Sequence, residues 1–156
     1  MSWIQFYFHT NSKAYRHFQI IYTILTLNFF IPAISYSFFP EVALKQFSQI
    51  SVLLGAGPFD YSHELASRIW RYLGSANVMT LGFMCLLLQL NLKKFYPILI
   101  PLVFLKAYNA TLFLLDFFSS AHVAFLAVAL FDYLTSWAFI FFAKRAYKEI
   151  TEKNSF

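Results

Sequence analysis

Between His17 and Glu41 the chain carries no Asp, Glu, Lys or Arg. A helix needs about 20 residues to cross the hydrocarbon of a bilayer, so this run is long enough for one crossing. A second uncharged run covers 72–92, and a third, 95–143, holds only Lys106, Asp116 and Asp132 as charged groups. The third is long enough for two helices joined by a tight turn. The expected fold is all-α, a polytopic four-transmembrane-helix bundle in a single membrane domain over 1–156, with spans at 18–39, 73–92, 95–118 and 121–143. Ser119 and Ser120 mark the last turn, since either hydroxyl can cap the first free amides of the fourth helix. A cleaved signal peptide is the rival for the first span, with Lys13 and Arg16 ahead of the apolar run and Ser35 and Ser37 as small residues. The run exceeds the usual ~7 to 15 residue apolar core of such a peptide, so the span is expected to stay.

Only 12% of the residues are charged, against about 25% in a soluble domain. With 21 Phe and 10 Tyr in 156 residues, more apolar surface is present than one small water-facing core can hide, and the excess must meet lipid. The single cysteine, Cys85, cannot close an internal disulfide. A net charge of +5 raises nucleic acid as a partner, but the basic residues flank the apolar runs and no basic aromatic recognition motif accompanies them. That placement favours topology signals and anionic lipid, and nucleic acid is set aside.

The direction of the bundle follows from the same residues. Lys13, Arg16, Lys93, Lys94, Lys144, Arg145, Lys148 and Lys153 fall on one side, whereas the other has Lys45, Arg68 and Arg71 offset by Glu41, Asp60 and Glu64. The positive-inside rule then places both termini in the cytoplasm, with the chain in the cell (inner) membrane.

The outer loop, 40–72, is patterned and unlike a linker. Leu44, Phe47, Ile50 or Ser51, and Leu54 recur at helical spacing with Lys45, Gln46, Ser48 and Gln49 on other faces, which predicts an amphipathic helix on the membrane surface. Gly55-Ala-Gly-Pro58 ends it. Ser62, with Glu64 in the first turn, is a helix start leading into span two. Trp70 and Tyr72 are expected at head-group depth. Arg68 and Arg71, three apart, can hold a phosphate or carboxylate at the outer face or extend to lipid phosphate. Together the four would form the entrance of an amphiphile site if the loop folds over the bundle.

Lys106 and Asp132 carry the most information, because a charge at bilayer centre costs several kcal/mol unless paired or hydrated. Each lies eleven residues from the inner end of its span, ~16 Å deep at 1.5 Å per residue. Antiparallel neighbours with a short turn pack side by side, so an ion pair is available. It reads either as a buried structural pair or as a proton relay or ligand counter-charge. Asn109 follows Lys106 at helical spacing and Asp116 lies within about a quarter turn of it. Ala129, Asp132 and Ser136 share one face, where small residues let backbones approach. Asn28 reaches a similar depth in span one, and Asn77 lies nearer the outer side of span two. Each reads as interhelical glue or as a ligand.

No two of His9, His17, His63 and His122 have the spacing of a zinc-binding helix. Only His63 and His122 fall at one face for a haem, near Asp116, Asp60 or Glu64. Neither metal nor any other cofactor is predicted, although quinone or lipid fits the amphiphile site. Gly55-Ala-Gly lacks the lysine and hydroxyl of a nucleotide loop and reads as a turn.

The size, four spans, long first outer loop and short third-to-fourth turn resemble the DoxX-like group of small bacterial membrane proteins. That family's associations with oxidoreductase and quinone-linked systems attach to no residue here. The leading reading is a non-enzymatic accessory or interaction subunit whose polar interior binds a small amphiphile, in contact with membrane lipid and with either a second copy or a membrane-complex partner. The runner-up is a small proton-coupled transporter, which needs a water path to Lys106 and Asp132 and a dimer to enclose volume. A membrane enzyme acting on lipid or quinone is the third.

Overall fold

The computed structural model describes residues 13–55, 57, 65–121 and 123–152. Its helices are α1 (Lys13–Phe38), α2 (Pro40–Leu53), α3 (Leu65–Leu90), the short α4 (Leu92–Phe95), α5 (Leu99–Ser120) and α6 (Val123–Glu152), with a 3₁₀ turn, Tyr96–Ile98, ahead of α5. Among the described residues, four stretches are long and apolar enough to cross a membrane: Lys13–Phe38, Trp70–Leu90, Leu92–Ser119 and Val123–Thr151. The protein is an all-α, four-helix membrane bundle, as its uncharged runs require.

The helix ends differ from the expected spans in instructive ways. α1 begins five residues before the expected 18 and α6 runs nine past the expected 143, because a backbone that leaves the hydrocarbon keeps its helical bonds. At the start of α1 the amide of Ala14 donates to Glu149 Oε2 at 3.2 Å. A carboxylate there complements the positive end of the helix dipole and ties the first transmembrane helix to the last. The third crossing opens with α4, whose first turn is capped when Asn91 Oδ1 accepts from the Lys94 amide at 3.0 Å. Pro97 then sits in the 3₁₀ turn and Pro101 in the first turn of α5, where a missing amide leaves no broken bond.

The turn between α5 and α6 corrects the expected cap for Ser119. Ser119 Oγ donates backwards to the carbonyl of Asp116 at 3.0 Å, and α5 continues through Ser120. The stop is made by Ala121, left-handed at φ 56°, whose amide donates to the Phe117 carbonyl at 2.7 Å. The chain therefore closes α5 from its C-terminal side. The side chain of Ser120 lies outside the described residues, as does His122.

α2 starts at Pro40, a residue suited to a first helical position, and touches α1 and α6. The helix predicted over 44–54 is present and extends to Pro40. Ile50 and Leu54 are exposed whereas Ser51 is buried and donates to the Gly57 carbonyl at 2.6 Å; the side chains of Leu44 and Phe47 lie outside the described residues. Gly55, at φ 82°, supplies the left-handed break. The proposed start at Ser62 and Glu64 lies outside the described residues.

Two antiparallel pairs make the bundle, α1 with α3 and α5 with α6, joined mainly where α1 packs on α6. In lipid, helices associate by close packing and interhelical hydrogen bonds, because the tails are as apolar as leucine. The buried faces fit that demand. Tyr15, Phe18, Tyr22 and Phe29 of α1 form a ladder of rings, with Phe18 and Tyr22 centroids 4.3 Å apart and Tyr22 and Phe139 5.4 Å apart. Tyr22 Oη donates to the Phe139 carbonyl at 2.9 Å. Ala143 and Ala146 of α6 are fully buried, leaving room for that ladder, and Leu81, Cys85, Leu88, Leu92, Leu99 and Leu102 complete the core. These residues lie toward the end that carries Lys93, Lys94 and Lys144, called here the basic end; the α2 side is the loop end.

Candidate functional site: an intramembrane ion pair

The side chains of Lys106 in α5 and Asp132 in α6 meet in a salt bridge through Nζ and Oδ1, and both residues are buried. Asn109 Nδ2 donates to the other carboxylate oxygen at 2.6 Å. Asp132 thus accepts one bond on each oxygen, as a carboxylate away from water requires. Counted from Ala121, Asn109 lies twelve residues back and Asp132 eleven forward, so these two are level, while Lys106 is one turn closer to the basic end. The long lysine side chain spans that offset of ~5 Å.

The surroundings come from three other places. Lys106 Nζ lies 5.0 Å from the Phe29 ring centroid of α1 and 5.9 Å from that of Phe131, close enough for cation–π attraction. Cys85 of α3 is buried in the same core cluster as Phe29. Ala129, Asp132 and Ser136 are all buried, and the Ser136 hydroxyl donates to the Asp132 carbonyl at 2.9 Å. This keeps a hydroxyl satisfied inside a helix without a second partner.

Asn109 differs from its two partners in being exposed. The buried carboxylate therefore has an exposed residue as one of its hydrogen-bond partners. On the far edge of the α5–α6 seam, Thr111 Oγ1 and Tyr133 Oη share a hydrogen bond at 2.9 Å, and both residues are exposed.

Other residues expected in the interior are elsewhere. Asn28 is exposed on α1, because Tyr22, Thr26, Phe29 and Ala33 set the inward face and Asn28 falls beside it. Pro32 has no amide for the Asn28 carbonyl, which also frees that group from the helix ladder. Asp116 is exposed, ten residues from Lys106, ~15 Å along α5, and stands apart from the pair. Asn77 is exposed as well. At the loop end Trp70 and Tyr72 are exposed, and the Arg71 guanidinium lies 5.7 Å from the Tyr72 ring centroid, with its Nε buried and unbonded among the described residues. The side chain of Arg68 lies outside the described residues.

The glue expected of the asparagines is supplied by Gln89, Thr23 and Thr26. Gln89 is buried; its Oε1 accepts from Thr23 Oγ1 and its Nε2 donates to Thr26 Oγ1, both at 2.7 Å. Toward the loop end, Ser75 Oγ donates to the Ala33 carbonyl at 2.6 Å and lies 2.6 Å from Ser37 Oγ. Gln89 escapes a sequence reading because it is one residue from the end of α3 and so looks interfacial. It meets α1 ten to thirteen residues from Lys13, since α1 extends further toward the basic end than α3 does. A glutamine inside an uncharged span was the available signal. His17 is half-buried, His9 and His63 lie outside the described residues, and no cluster of three His, Cys, Asp or Glu that could hold a metal occurs among those described.

Comparison with protein-family models, curated proteins and solved structures returns no match.

Proposed function

We propose that this integral membrane protein is an accessory or interaction subunit whose Lys106–Asp132–Asn109 site holds the polar end of a small amphiphile, with quinone or lipid as the chemistry that suits it. The observation that carries this reading is the exposed Asn109 bonded to a buried carboxylate. A ligand hydroxyl or amide that displaces the Asn109 amide gains Asp132 as acceptor, while Lys106 lies one turn deeper as a donor for a carbonyl or phosphate oxygen. Apolar walls of Phe29 and Phe131 suit the ligand's hydrocarbon or ring portion. The rings beside the ammonium favour a closed, dry site over the water path that a proton-coupled carrier needs. Membership of the DoxX-like group is part of this proposal and rests on the four spans, the long first loop and the tight last turn.

Native mass spectrometry of the detergent-solubilised protein tests it, with a short-chain ubiquinone and a monoacyl phospholipid as probes. Wild type is expected to retain one of the two, and the Lys106→Met/Asp132→Asn double variant to lose it while staying folded. Absence of both adducts from wild type, or equal retention by the double variant, would overturn the reading.

The same proposal orients the bundle with both termini in the cytoplasm of a cell whose inner membrane it spans, because its basic end carries Lys93, Lys94, Lys144, Arg145 and Lys148. Reporter fusions at Lys94 and Phe156 are expected to read cytoplasmic and one at Gly57 external. A cytoplasmic signal at Gly57 would reverse the assignment.

A further inference from the structure

Asn28 stands at the middle of the first crossing, ten residues from Phe18 and ten from Phe38, ~15 Å from either at 1.5 Å per residue. The adjacent ring of Phe29 lies 5.0 Å from Lys106 Nζ, which sets Asn28 at the depth of the ion pair. Asn28 nevertheless faces outward: it is exposed, and its side chain makes no hydrogen bond among the described residues. Four residues on, Pro32 interrupts the helix ladder, so the Asn28 carbonyl has no amide there to bond it. One residue thus presents an unbonded amide side chain and a freed carbonyl at a depth where lipid tails offer neither donor nor acceptor.

The residues around it form a seam. Ile21, Ile24, Asn28, Ile31 and Ser35 follow one another at steps of three, four, three and four, and at ~100° per residue they fall within a sector of about 80°. None of the five is buried, and Ile24 and Ile31 are 57% and 65% exposed, more than the half that a helix facing a neighbour would leave open. The inward residues Tyr22, Phe29 and Ala33 occupy another side of α1. We propose that this seam is the contact between two copies of the chain, packed α1 against α1 about a two-fold axis normal to the membrane, with the two Asn28 side chains bonded to each other. Copies of one chain insert in one direction, so such an axis brings every residue of α1 to the depth of its own equivalent. An asparagine carries both donors and an acceptor. Nδ2 of each copy therefore donates to Oδ1 of the partner's Asn28, and the remaining amide hydrogens are donors of the kind the freed carbonyls lack. A step of three then four suits knobs packing into holes at a shallow crossing, and a lone asparagine in such a seam fixes its register. The contact uses none of Lys106, Asp132 and Asn109 and does not depend on the amphiphile reading.

Cysteine cross-linking of the full chain in dilute phosphatidylcholine vesicles locates the contact. Ile24→Cys and Ile31→Cys, oxidised with copper phenanthroline, are each expected to give a disulfide-linked dimer as the main product. The parent chain, whose one described cysteine, Cys85, is buried, and Leu134→Cys, an exposed position on α6, should give little. Förster transfer between singly labelled chains over a lipid-dilution series measures the association itself. Asn28→Leu is expected to weaken it about five- to thirtyfold, the worth of a hydrogen bond between transmembrane helices in model peptides. Asn28→Gln keeps donor and acceptor and should retain most of the affinity, which a contact made by packing alone would not predict. A chain that stays monomeric at every dilution, cross-linking at 24 and 31 no greater than at 134, or association unchanged by Asn28→Leu would overturn the proposal. Should Asn28→Leu fail to fold, the cysteine pair and Asn28→Gln decide the question without it.

Discussion

Asp132→Asn or Lys106→Met alone is expected to destabilise the bundle by about 3 to 5 kcal/mol, and the double variant by far less than the sum. Each single change strands a charge among apolar rings. Asp132→Asn leaves the Lys106 ammonium beside Phe29 and Phe131 with no counter-charge, and Lys106→Met leaves a carboxylate whose one remaining partner described is Asn109. The double change has no orphan charge. Thermal unfolding in a mild detergent, read by circular dichroism, gives the cycle. Additive losses would show that the two side chains act independently. The same variants separate structure from function: if the double variant regains folded yield while the probes are no longer retained, the pair holds the ligand as well as the fold.

Gly82→Leu is expected to cost about 1 to 3 kcal/mol, the usual penalty for overfilling a packed interface. A Cβ at Gly82 already runs into the ring of Phe30 on α1. That ring is held edge-on against Phe83 with centroids 5.2 Å apart, so either it turns away or α1 and α3 separate. Separation would also loosen the Gln89 and Ser75 bonds between the same helices. Phe30→Ala in the Gly82→Leu background should recover most of the loss, since it vacates the space the new side chain needs. An unchanged unfolding temperature for Gly82→Leu would mean that the approach of the two helices at this level is not what holds them.

Four crossings, the helix in the first loop and the Lys106–Asp132 contact were legible in the residue order because each follows from a local cost. An uncharged run of bilayer length has few other places to go, and two opposite charges on adjoining spans have few other partners. Which uncharged polar groups meet is a different kind of question. Asn28, near mid-span, is the residue that reads as interior glue and Gln89, near a helix end, reads as interfacial, yet Asn28 is exposed and Gln89 is buried against Thr23 and Thr26. That outcome depends on how α1 is rotated and how far it slides past α3, and both are set by the fit of Phe18, Tyr22, Phe29 and Phe30 against Gly82, Phe139, Ala143 and Ala146. The Ala121 turn and the exposed Asn109 beside a buried carboxylate are of the same origin. Desolvation acts on each segment by itself, so the order of residues determined what crosses the membrane; packing acts between segments distant in the chain, so only the assembled bundle decided which side chains face one another.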